Sequence, residues 1–181
     1  MFSYYYVMSQ LPSISSRLAP PLSYERFLDI VEIGTPAKDF EMLKTISLEP
    51  PKKPVSTGSV FLDKWYGYER ALRFSLAKIR AENLNWTGAE NHLNREDIME
   101  AMDVVQVARG ACAIDDPRKA EEFLDKARFS AAEQLKGLEN FNKESLFAYA
   151  VMLLLRERAM KFDTEAGRQE YNAIYDKILE S

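Results

Sequence analysis

The stretch SVFLDKWYGYERALRFSLAKIRAENL, Ser59 to Leu84, decides the fold. Phe61, Trp65, Tyr68, Leu72, Leu76 and Ile79 follow one another at spacings of four, three, four, four and three, which places all six on one side of an α-helix. Gly67 is its only glycine, no proline breaks it, and Ser59 offers a hydroxyl at the N-cap. At 1.5 Å per residue the helix spans about 39 Å. An apolar seam of that length has to be covered by other helices, so the stretch predicts an all-α bundle built around it.

The flanks supply those helices. Ser23 caps a segment in which Tyr24, Phe27, Leu28 and Val31 share a face before Gly34. Pro36, at a first helical position where its missing N–H costs nothing, restarts the chain into Ala37, Phe40, Leu43 and Ile46. Residues 47–58 contain Glu49-Pro50-Pro51-Lys52-Lys53-Pro54, a polyproline-prone connector into the long helix.

Beyond the long helix, residues 85–94 read as a loop, and Asn94 with Asp97 resembles a capping pair. Ile98, Met102, Val105 and Ala108 continue at helical spacing up to Gly110. Asp116-Pro117 opens a helix with Ala120, Phe123, Leu124, Ala127 and Leu135 inward, running to about Glu139. Asn142 caps the next, through the ten-residue apolar run Leu146 to Leu155, and Asp163 caps a last one with Tyr171, Ile174, Tyr175 and Ile178 on one stripe. Six or seven helices form a single domain, 1–181. Only residues 2–8 stay open between a short strand and a helix, because their aromatics show neither period.

Composition narrows the function classes. Hydrophobic residues at 46% and charged residues at 29% suit a soluble globular chain rather than a disordered one. A net charge of -4 weighs against nucleic-acid binding, which needs a basic footprint. One cysteine, Cys112, excludes an internal disulfide and points to a reducing cytoplasm. The start lacks the pattern of a signal peptide, and the ten-residue apolar run is about half the length a membrane span requires.

Catalytic chemistry is hard to assemble from these residues. His92 is the single histidine, in a polar loop beside Asn91 and Asn94; a metal site there lacks companion ligands and a general base would need an oriented partner and a pocket, so a surface or capping role is expected. The glycines are isolated, which leaves no phosphate-cradling loop. Carboxylates at Asp115-Asp116, Glu121-Glu122 and Glu96, Asp97, Glu100 and Asp103 diverge around their helices or serve as caps. The expectation is a protein without enzymatic activity, metal or cofactor. Arg70, Arg73 and Arg80 share one broad face of the long helix with Tyr66, residue types that interfaces favour, and this face is the candidate contact surface. Glu69 lies four residues before Arg73, and Glu157 lies between Arg156 and Arg158, so local ion pairing is expected at both places.

Three stretches carry a resemblance. They are Phe2-Ser3-Tyr4-Tyr5-Tyr6-Val7-Met8 with Leu11-Pro12; Tyr66-Gly67-Tyr68-Glu69-Arg70-Ala71-Leu72-Arg73 continuing into Ala77-Lys78-Ile79-Arg80-Ala81; and Asn140-Phe141 through Ser145-Leu146-Phe147-Ala148-Tyr149 to Arg156-Glu157-Arg158. In this order they resemble a small bacterial family encoded within V/A-type ATPase operons. The Tyr-rich start, Tyr24-Glu25-Arg26-Phe27-Leu28, Asp39-Phe40 and Leu43 also resemble the opening of the helical central-stalk subunit, called C in the archaeal type and d in the vacuolar type, whose threefold repeat this chain lacks. The resemblance implies a non-catalytic structural or coupling component of ion transport at the stalk to rotor junction, with ATPase stalk or rotor subunits as partners. It implies a cytoplasmic location, peripheral at the inner face of the membrane and without insertion. The competing expectation is an independent helical binding or assembly module, a homodimer whose long-helix seam pairs with its own copy.

Overall fold

The computed structural model describes residues 3–86 and 102–161. Seven helices are found among them: α1 Tyr4–Gln10, α2 Tyr24–Glu32, α3 Ala37–Thr45, α4 Val60–Asn83, α5 Met102–Cys112, α6 Pro117–Lys136 and α7 Lys143–Lys161. No strand occurs among the described residues, and the chain is all-α. The opening segment, open between strand and helix in the sequence, is helical from Tyr4 on. A strand there would leave its backbone groups without an edge to pair with, whereas a helix satisfies them internally and still buries Val7. His92, the Asn94 and Asp97 pair and the helix expected from Asp163 lie outside the described residues.

Local chemistry sets most of the boundaries. Ser59 accepts from the Leu62 N–H at 3.2 Å and starts α4, and Ser23 does the same for α2 through Arg26. Asp116 accepts from Arg118 and Lys119 at the start of α6, with Pro117 in its first turn. Asn142 accepts from the Ser145 N–H at 2.8 Å at the start of α7. Pro36 sits at the N-cap of α3, one position earlier than expected, and α6 ends at Lys136 because Gly137 turns the chain with φ 81°.

The α4 seam is buried as its spacing requires at Phe61, Trp65, Leu72 and Leu76, while Tyr68 and Ile79 are partly covered. Its first half packs on α7 in one apolar cluster with Phe27, Leu43 and Phe129. The second half packs on Val104, Ala108 and Ala111 of α5 and on Leu124 of α6. Three inward assignments change: Ala37 is exposed while Asp39 of the same helix is buried, Val104 is buried and Val105 is only partly so, and Phe123 turns outward to lie over Gly110.

The helix that the others surround is α7. Ser145 to Leu153 are buried one after another, without a polar side. A helix apolar all round is stable only when enclosed. It is enclosed by α1, α2, α3, α4 and α6. Its acids serve its neighbours as well: Glu144 accepts from Ser59 Oγ at 2.5 Å and from the Phe61 N–H at 2.7 Å, and Glu157 accepts from the Tyr24 N–H at 2.6 Å. These carboxylates close the N-termini of α4 and α2, where exposed N–H groups and the helix dipole favour negative charge. Tyr149 and Arg156 donate to the carbonyls of Pro12 and Leu18 and hold the long first loop against the same helix.

Candidate functional site

The candidate face divides in the structure. Arg73 and Arg80 are exposed, Arg70 is half-buried, and Tyr66 is 7% exposed. Tyr66 therefore belongs to the core. Burial pushes its hydroxyl up from the ordinary range, partly offset by a backbone hydrogen bond from Ser47. What covers this face is the chain's own Pro-rich connector. Arg73 donates to the Leu48 carbonyl at 3.4 Å and pairs with Glu49 at 3.8 Å. At the other end Asp63 accepts from the Thr57 N–H and hydroxyl, both at 2.8 Å, and from Ser56 Oγ at 3.1 Å. Partial burial works against the Asp63 carboxylate, but these three donors, helped by the nearby Arg70 cation, outweigh it and hold its pKa below the usual value.

Beneath the face lies an ion-pair network. Glu69 pairs with Arg73 at 2.8 Å, as its position four residues earlier predicts. It also reaches across to Arg128 of α6 at 3.0 Å. Arg128 continues to Glu121 at 3.0 Å and to Asp125 at 3.3 Å, and Arg158 of α7 joins the same two acids, at 2.9 Å to Glu121 and in close contact with Asp125. Three guanidiniums thus face three carboxylates and tie α4, α6 and α7 together. Burial works against the Arg128 cation, yet Glu69, Glu121 and Asp125 outweigh it and its pKa lies above the ordinary arginine value. For Asp125 the balance goes the other way: burial raises its pKa and the two arginines only partly compensate. Burial also pushes Tyr68, next to Glu69, up to about 12.

The pairing expected within Arg156-Glu157-Arg158 gives way to long-range contacts. Glu157 caps α2, Arg156 holds the first loop and Arg158 turns to α6. Nothing local announced this, because each partner lies more than thirty residues away. A second polar group, missed by sequence reasoning, joins α1, α3 and α7: the Tyr4 hydroxyl donates to Asp39, and Lys143 pairs with Asp39 at 3.4 Å and donates to the Gly58 carbonyl at 2.9 Å. Burial, then Asp39, raise the Tyr4 hydroxyl well above its ordinary value. Both groups join helices, and the charges of each are met mainly by its own members, with Arg158 Nε buried and unpartnered.

The seam expected to pair with a second copy is filled by α5, α6 and α7 of the same chain. Among the described residues no helix is long and apolar enough to cross a membrane, and no three His, Cys, Asp or Glu side chains converge as metal ligands would. Cys112 is half-buried and free. Comparison with protein-family models, with curated proteins and with solved structures finds no match for this chain.

Proposed function

We propose that this chain is a non-catalytic structural or coupling component associated with a V/A-type ATPase, placed at the cytoplasmic junction of central stalk and rotor and peripheral to the membrane. The observation that carries the reading is the ordered resemblance of the three stretches, whose described residues fall in and next to α1, in α4, and in the segment leading into and through α7. A part that transmits torque has to be stiff, and a buried ion-pair network linking three helices is a means of holding them in one arrangement. The contact surface is the exposed arginine edge of α4, Arg73 and Arg80, with Arg70 behind it and Tyr66 supporting it from the core.

The test is affinity purification of the tagged protein from its native cell in mild detergent, with the co-purifying chains identified. Stalk and rotor subunits are expected. Recovery of the protein alone, with the ATPase intact in the same extract, overturns the reading. For mapping, Arg80→Glu is the informative variant, because Arg73 also neutralises buried Glu69 and its reversal would disturb the fold. Arg80→Glu is expected to weaken co-purification and leave thermal unfolding within a degree or two, as surface substitutions do.

A further inference from the structure

We propose that the connector is a displaceable strap, and that Glu49 occupies on Arg73 the place taken by a carboxylate of an acidic partner segment. The inference rests on the reading of this α4 face as a docking surface and names the chemistry that docks there.

The strap is unevenly fastened. At Thr57 two contacts of 2.8 Å bind it to Asp63. Before Glu49, Ser47 hydrogen-bonds Tyr66, and Leu48 packs on the core and accepts from Arg73 at 3.4 Å. The Glu49 side chain, however, is 82% exposed and meets Arg73 at 3.8 Å, so it is the Glu49 carboxylate that can be displaced. An ion pair so open to water contributes little, and a competing carboxylate displaces it readily. Arg73 meanwhile keeps its Nε on Glu69, so its outer edge can exchange partners without releasing the network.

Arg70 gives the second reason. It lies between Tyr66 and Arg73 on the same face, and one of its terminal nitrogens is removed from water with no hydrogen-bond partner. Asp63 supplies opposite charge nearby but no hydrogen bond to that nitrogen. A cationic N–H left so is costly, and a partner's carboxylate that enters as the cover moves aside satisfies it. Two guanidiniums on successive turns of one helix suit an acidic peptide, since each can grip a carboxylate through two N–H groups.

The test is fluorescence anisotropy with a fluorescein-labelled peptide of alternating Glu and Ala, at low salt, on the full chain. Glu49→Gln removes the competitor and is expected to bind the peptide about threefold more tightly than the wild type. Glu32→Gln changes the net charge equally on the exposed end of α2 and is expected to bind as the wild type does. Arg70→Gln is expected to lose about tenfold in affinity. Equal tightening by Glu49→Gln and Glu32→Gln shows a general charge effect and overturns the strap, as does failure of the peptide to bind any of the three variants. ATPase subunits co-purifying while Glu49→Gln behaves like Glu32→Gln sinks the strap alone. Tightening specific to Glu49→Gln supports the strap even when no ATPase subunit is recovered.

Discussion

Glu69 of α4 and Arg128 of α6 meet at 3.0 Å with side chains 1% and 6% exposed, the most deeply buried ion pair among the described residues. A pair withdrawn from water to this degree is coupled to everything around it. Its attraction is offset by desolvation, so its net contribution is small, but removal of one partner leaves the other charge stranded.

Arg128→Met is therefore expected to destabilise the chain by about 3 kcal/mol in urea unfolding, because Glu69 then keeps only Arg73, and Glu121 and Asp125 keep only Arg158. Combining it with Glu69→Leu is expected to recover part of that loss. A double variant no better than the sum of the singles would show that the two residues are not coupled.

The helix N-termini closed by α7 make a separate prediction. Glu144→Ala removes the acceptor for Ser59 and Phe61, and Glu157→Ala removes the one for Tyr24. Each is expected to cost about 1–2 kcal/mol, measured as the shift of the urea midpoint at unchanged slope.

Two glycines should respond in opposite directions. A Cβ at Gly34 would lie 2.3 Å from Val7 Cγ2, so Gly34→Ala has to displace α1 and is expected to cost about 1–3 kcal/mol. Gly67 sits within α4 and a Cβ there meets nothing within 4 Å. Gly67→Ala is expected to stabilise by about 0.5–1 kcal/mol, read from the same urea curves.

Acid should release the connector from Asp63 only at low pH. The Asp63 pKa is lowered in the folded state, so the stability it contributes is present above its unfolded value, about 3.9, and is lost as pH falls through the lower folded value. The stability difference between wild type and Asp63→Asn is expected to hold at neutral pH and to shrink below about pH 4. Asp125 has the opposite sign. Its raised pKa gives a contribution that is complete below the unfolded value and declines as pH rises through the folded one, so Asp125→Asn should compare best with wild type at neutral pH. Urea midpoints across the pH series read both.

Much of the helical organisation was legible because its causes are local. Ser23, Ser59, Asp116 and Asn142 each satisfy N–H groups two or three residues ahead, and Phe61, Trp65, Leu72 and Leu76 follow the helical period. Where that reading slipped, the competing cause was tertiary. Phe123 has the right spacing to face inward, but Leu124 takes the place beside α4 and α5, and Phe123 lies over Gly110, where no Cβ obstructs it.

The arginine face shows the same division. Four residues on one side of α4 could be named from spacing alone, and the Glu69 to Arg73 pair follows from a separation of four. That Tyr66 is enclosed, that Arg73 is clipped by Glu49, and that Glu69 answers to Arg128, 59 residues away, depend on how the connector and α6 lie against α4. Among the described residues after the opening segment, the sequence by itself determined which segments are helices, where most of them begin and most of the residues that want to be buried, because capping and periodicity act over a few residues. Only the tertiary structure decided that α7 is the enclosed centre and which charges are paired or covered, because burial and long-range ion pairing are properties of the packed chain.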